Sequence, residues 1–402
     1  MDRYPTEYQY DTGCPTTVAD APVTRNIAGA MRRLLSVSMI IMTFLGHVGR
    51  AASPVPLSMD RMIPIPHPMT TLVRAEDVQQ ELGLSTVQVN EVKRAVENVE
   101  LPLWRLRDVP VQERNNAAGL LVQQLQQNLE RIISRQQLER LNQLARQAEG
   151  ISVILEPEMV LKLGLSAEQI EHIRMALNIS YNKLVALQRD AEDFSESRKA
   201  ASIRIVHDET EKSIIAVLNG FQQRALRKLM GEPFDLSNVR IVACKAPEFD
   251  VDTWINPPES DKPERAGKVT VIHFYAFGCD NCIRTLPYYN EWREHFPPGA
   301  FQVIGIHRPE TEQEREIDRV KAKAVEAGMK YPIAIDNDSL MWDAWANRIW
   351  PSIYLIDKKG YVRYWWYGEL NWQGAESEKY LRGKIQELIQ EKSVVESTDS
   401  AG

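Results

Sequence analysis

Cys279 and Cys282 are the residues of this 402-residue chain whose types and spacing most directly imply chemistry. They stand in Cys279-Asp280-Asn281-Cys282, just after an apolar run from Val269 to Phe277 and at the expected start of a helix. An i, i+3 spacing sets both sulfurs on one side of the first helical turn, where free N–H groups and the helix dipole favour a thiolate at Cys279. The thiolate, not the thiol, attacks disulfides, so the pair is expected to do disulfide exchange, with a structural staple as the alternative. A zinc site needs more ligands. Cys14 and Cys244 are isolated, and no second C-x-x-C or H-x-x-x-H completes a four-ligand set, so no metal is expected. Ile283 after Cys282 argues against haem attachment.

The surroundings narrow the class further. A composition of 44% hydrophobic and 26% charged residues suits a folded globular chain rather than a disordered one. A formal charge of -7 argues against nucleic acid as the main partner, because phosphate binding needs a basic surface. Near the N-terminus, Arg32-Arg33, the apolar run Leu34 to Gly46 and the small residues Ala51-Ala52-Ser53 follow the layout of a secretory signal peptide. That run is shorter than the roughly 20 residues of a permanent span. An exported, periplasmic protein is therefore expected, or one anchored outside the cytoplasm if the signal is not cleaved. Met31 precedes the arginine pair, so residues 1–30, with Cys14, read as a mis-assigned upstream extension and 31–53 as the signal.

Residues 54–74, rich in proline, read as a linker, and 75–235 as an all-α domain. Val89, Val92, Val96 and Val99 share one helix face, as do Ile170, Ile173, Leu177 and Leu184. The region is duplicated: Leu82-Gly83-Leu84-Ser85 returns as Leu163-Gly164-Leu165-Ser166. Ser85, Ser134, Ser166 and Asn219 each precede a glutamine by three residues (Gln88, Gln137, Gln169, Gln222), the pattern of a capping box at a helix start. These starts resemble the LTxxQ motif of Spy/CpxP-like extracytoplasmic helical proteins, which implies a chaperone-like role. A duplicated helical hairpin serving as a scaffold is the alternative.

From residue 245 to 391 strands alternate with helices. Strands are expected at Val269 to Phe277, Phe301 to His307, Tyr331 to Asp336, Ser352 to Asp357 and Tyr361 to Tyr367. Helices are expected at about 280–296, 312–328, 339–347 and 375–391. A hairpin turn at Lys358-Lys359-Gly360 completes a mixed sheet covered by helices, and 392–402 reads as a flexible tail.

The segment Phe274-Tyr275-Ala276-Phe277-Gly278-Cys279-Asp280-Asn281-Cys282 through Pro287 resembles the active-site segment of extracytoplasmic thioredoxin-like proteins of the TlpA type, nearest the DipZ-like branch. The runs Val303 to Glu310, Tyr331 to Asp338 and Trp350 to Asp357 share the resemblance. It implies an α/β thioredoxin-like fold and thiol-disulfide oxidoreductase activity. Cys279 is then the nucleophile and Cys282 the resolving thiol. Pro351 is a cis-proline beside which Trp350 offers its backbone to an extended substrate, with a trans-proline at a strand edge as the alternative. Protein thiols are the substrates, and a membrane or thioredoxin-like donor supplies electrons without a bound cofactor.

Departures from that pattern carry their own expectations. His273, six residues before Cys279, stands where a buried acid is usual; it is a candidate proton relay or else a core histidine. Asp280-Asn281 replaces a proline-containing pair, and the negative charge of Asp280 opposes the thiolate, which leans toward a reductase or isomerase; it is otherwise a favourable first-turn acid. Ala276 occupies the place of a peroxidatic Thr or Ser and disfavours peroxidase activity; Thr285 is assigned no role. Trp342, Trp345, Trp350, Trp365 and Trp366 either pack the core or line a groove. Cys244 reads as a buried small residue or an intermolecular thiol, and the helical domain as a surface for clients or for homo-oligomers.

Overall fold

A computed structural model of the chain describes residues 65–391 except 190–195, 238 and 258–261. The expected upstream extension, signal peptide, Cys14, the first part of the linker and the C-terminal tail lie outside the described residues. Among the described residues, nine α-helices come first: α1 Pro68–Leu72, α2 Glu76–Glu81, α3 Thr86–Arg105, α4 Val111–Ile132, α5 Arg135–Glu149, α6 Pro157–Leu163, α7 Ala167–Arg189, α8 Glu196–Ala216 and α9 Gly220–Met230. Among the described residues, no helix is long and apolar enough to cross a membrane.

The linker expectation fails from residue 65 onward. Pro68 opens α1, and Met69, Leu72 and Val73 are buried in the first helical core with Val92, Val96, Leu129 and Leu144. Prolines at a helix start fit because the missing N–H would have no intrahelical partner there. A second core, around Ile154, Met159, Ile173, Ile214 and Leu226, belongs to α6–α9.

All four capping boxes form, each with the glutamine reaching back to the cap amide. The same glutamines also pair across each repeat. Gln88 Nε2 donates to Gln137 Oε1 at 3.1 Å, and Gln169 Nε2 donates to Gln222 Oε1 at 2.8 Å. Each also donates to a carbonyl at the opposite helix start, Ile132 for Gln88 and Val217 for Gln169. Two helix starts per repeat are thereby tied to each other.

The C-terminal part is a six-stranded sheet: β1 Trp254–Ile255, β2 Val269–Tyr275, β3 Phe301–His307, β4 Ile333–Ile335, β5 Ser352–Ile356 and β6 Val362–Tyr367, in the order β1-β4-β3-β2-β5-β6. β2, β3 and β4 run parallel; β1, β5 and β6 are antiparallel to their neighbours. Every residue of the central β2 is buried, which explains its continuous apolar run. Four helices pack around the sheet: α10 Asp280–His295, α11 Ile317–Glu326, α12 Leu340–Ala344 and α13 Ser377–Gln390. α10, α11 and α13 cover one face, and α12 covers the other together with Trp104 from the end of α3. The helix expected at 312–328 is split: Glu312–Arg315 forms a 3-10 turn, and α11 starts only at Ile317.

Candidate active site

Cys279 is the N-cap of α10. Its backbone is extended (φ -85°, ψ 106°), and its sulfur accepts a hydrogen bond from the Cys282 amide at 3.3 Å. One of the orphan donors at the helix start therefore points at the sulfur, the arrangement that stabilises a thiolate. The two cysteines are disulfide-bonded, with Cα atoms 5.2 Å apart. Cys279 is half-buried, whereas Cys282 is 1% exposed and packs among Leu286, Tyr289 and Ile353. An attacker can reach Cys279 and not Cys282.

The Trp350–Pro351 peptide bond is cis. Ser352 pairs in register with Phe274, so this bond lies at the end of the sheet from which the Cys279 turn departs. Trp350 is half-buried and packs on Trp342 with ring centroids 4.4 Å apart. The Arg308 guanidinium lies over both rings, at 5.1 Å and 4.9 Å. Asp336 holds the start of α12 by accepting from the amides of Met341 at 3.0 Å and Trp342 at 2.8 Å. Trp345 and Trp366 are core residues.

Asp280 and Asn281 are exposed on the first turn of α10, Asn281 accepting from Arg284, which is itself clamped by Glu369. Thr285 donates its hydroxyl to the Asn281 carbonyl at 2.8 Å. Cys244 is fully buried, and burial pushes its thiol well above the usual range, which makes it inert.

His273 lies in the middle of β2, fully buried. Its ring stacks on Tyr289 with centroids 4.1 Å apart, and its Nε2 lies 3.1 Å from the Tyr331 hydroxyl. Desolvation lowers its pKa to about 3. Such an imidazole stays neutral near pH 7, and no hydrogen bond links it to a cysteine. The ring is packed in the core, with the Tyr331 hydroxyl beside its Nε2.

Sequence reasoning missed a second buried histidine. His307, at the end of β3, is fully buried, with its pKa lowered to about 4 by desolvation; its Nε2 stands 3.9 Å from Glu314 Oε2. Its ring stacks on Phe277, two residues before Cys279. Glu314 is only 2% exposed although it sits in the charged run Glu310 to Glu316, and nothing in that run marks it as the inward residue.

Residues 242–365 match the AhpC/TSA family. The chain is 37% identical over 127 residues to the DipZ protein of Mycobacterium tuberculosis, covering 31% of this chain and 18% of DipZ. Its identity to thiol-disulfide oxidoreductase YkuV of Bacillus subtilis is 30% over 111 residues, covering 28% of this chain and 74% of YkuV. A solved thiol-disulfide isomerase from Corynebacterium glutamicum aligns at 24% identity over 37% of this chain and 98% of its own, with a TM-score of 0.32. The chain thus spans less than a fifth of the DipZ protein it matches.

Proposed function

The chain belongs, through its C-terminal region, to the thioredoxin-like thiol-disulfide oxidoreductases, and we propose that it works outside the cytoplasm as a reductase or isomerase of protein disulfides. The observation that carries this reading is the asymmetry of the pair: a half-exposed Cys279 at a helix start, backed by a buried Cys282.

In the reduced enzyme the Cys279 thiolate attacks one sulfur of a client disulfide. The client S–S bond breaks, one client thiolate leaves, and a mixed disulfide forms at Cys279. Cys282 then loses its proton and attacks the Cys279 sulfur, releasing the second client thiol and closing the Cys279–Cys282 disulfide. Two electrons have passed to the client. A membrane or thioredoxin-like donor returns them, and no bound cofactor takes part. Trp350, beside the cis bond to Pro351, offers its backbone to an extended client segment. The reductase lean rests on Asp280, whose charge opposes the thiolate. The extracytoplasmic setting rests on the signal-like residues 31–53.

A second role for the helical part has one observation in its favour. Leu161, Ile179, Ile205 and Phe221 of the second repeat are all more than half exposed, an apolar presentation suited to clients or to a second copy of the chain.

The test is the equilibrium reduction potential of the Cys279/Cys282 pair, by titration against glutathione and dithiothreitol with thiol trapping. A reversible two-electron couple near about -270 mV is expected; a value near about -120 mV would mark an oxidant and reverse the proposed direction. Absence of a reversible couple would remove the reading altogether.

A further inference from the structure

Beneath the turn that carries Cys279 lies a buried carboxylate that the exchange chemistry above does not use. The 3-10 turn Glu312–Arg315 brings the Glu314 side chain inward, where Oε2 accepts from the Glu310 amide at 3.1 Å and Oε1 from the Thr311 hydroxyl at 3.3 Å. The carboxylate rests against Gly278. A Cβ added at that residue would lie 2.5 Å from Glu314 Oε1, so the carboxylate occupies the space that any other side chain would need. His307 completes the floor: it stacks on Phe277 with centroids 5.6 Å apart, and neither of its ring nitrogens has a hydrogen-bond partner. Phe277 and Gly278 therefore sit on His307 and Glu314, and the next residue is Cys279.

We propose that Glu314 is a positioning residue for Cys279: its buried carboxylate, admitted to the turn by glycine at position 278, opposes the thiolate and makes the pair a poorer oxidant. This deepens the thiol-exchange reading and rests on it. From Glu314 Oε1 the Cys279 Cα is within about 8 Å, since one Cα–Cα step adds about 3.8 Å. The sulfur lies at most about 3 Å beyond that Cα, and a unit charge at such a range, at an effective dielectric of about 20, shifts a thiol by about one pKa unit.

The other charges around the turn do not replace it. Asp280 opposes the thiolate from the exposed first turn, where solvent and salt weaken its charge without removing it, and Arg284 is engaged by Glu369. Arg308 is held over Trp342 and Trp350 with its Nε donating to Ser339, Glu310 contributes its amide to Glu314, and His307 is neutral.

The experiment measures the rate of iodoacetamide alkylation of Cys279 against pH in the reduced full-length protein, with the modified residue identified by mass spectrometry. Glu314→Gln is expected to lower the apparent pKa by about one unit, so that alkylation well below the midpoint runs about tenfold faster. Glu314→Asp, which keeps the charge, is expected to stay near wild type. An unchanged alkylation profile in a folded Glu314→Gln protein overturns the proposal. Should that variant not fold, Gly278→Ala, whose methyl displaces the carboxylate, decides instead: a lowered pKa supports the proposal and an unchanged one overturns it. Alkylation needs no client. A null result here leaves the exchange reading standing, whereas wild-type protein unable to reduce any protein disulfide would end that reading without touching this measurement.

Discussion

The indole of Trp104, on the last turn of α3, meets that of Trp345 edge-on, with ring centroids 5.9 Å apart. Tyr354 and Trp365 close around the same ring at 5.5 Å and 6.1 Å. Three residues on, Arg107 lies 3.7 Å over the Trp104 ring and donates to Trp345 O at 2.7 Å, Tyr367 Oη at 2.6 Å and Tyr354 Oη at 3.1 Å. The helical part thus supplies one wall of the sheet's second face, and it grips the loop that leads to Trp350.

Trp104→Ala is expected to cost about 3–5 kcal/mol, because it removes a fully buried indole and leaves a cavity between the two parts. Chemical denaturation of the full-length protein, followed separately by helical circular dichroism and tryptophan fluorescence, is expected to show two transitions where the wild type shows one. A single transition at the wild-type midpoint would refute the docking argument.

Cys279→Ser is expected to reduce insulin reduction to the uncatalysed rate, since the nucleophile is gone. Cys282→Ser keeps the nucleophile and loses the resolving thiol, so it is expected to accumulate a mixed disulfide at Cys279, visible on non-reducing gels. Equal trapping by both variants would contradict the assignment of roles.

Folding depresses the pKa values of His273, to about 3, and of His307, to about 4. At acid pH the unfolded chain therefore binds the extra protons. The stability held by the neutral rings is complete above about pH 6.5 and is lost as pH falls toward those values, at about 1.4 kcal/mol per pH unit for each ring. His273→Phe, which preserves an aromatic ring on Tyr289, is expected to remove one such increment between pH 6 and 4. It is also expected to leave release of the mixed disulfide at pH 7 unchanged; a slowed release would mark the imidazole as a proton relay.

Gln169→Ala and Gln222→Ala each remove a cap bond and a bond across the second repeat, and each is expected to cost about 1–2 kcal/mol. The double variant is expected to cost less than the sum, because the first change already breaks their mutual hydrogen bonds. Additive losses in thermal unfolding would mean that the two helix starts are held independently.

Much of this was legible because it is local. The run Val269 to Tyr275 reads as a strand from its own residues, and Ser85 with Gln88 reads as a helix start from a spacing of three. What escaped depends on partners far away in the chain. Trp254–Ile255 is a strand only because β4 lies beside it, and two residues carry no period. Trp104 looks like one more apolar helix residue until Trp345, some 240 positions later, closes over it. Glu314 is indistinguishable from its exposed acidic neighbours until the 3-10 turn aims it at Gly278. The heavily prolinated stretch before Ala75 read as a spacer because composition does not reveal that Met69 and Leu72 find a core to enter.

The Cys282 amide aimed at the Cys279 sulfur gives this protein a built-in gauge of its own electron count. When the pair is reduced and Cys279 ionised, that hydrogen bond ends on an anion and strengthens; when the disulfide closes, it ends on a neutral sulfur and weakens. The nitrogen-15 and proton resonances of this single backbone amide therefore move with the redox state. They offer a probe-free readout of electron transfer in a mixture of donors and clients, with no label attached to the active site.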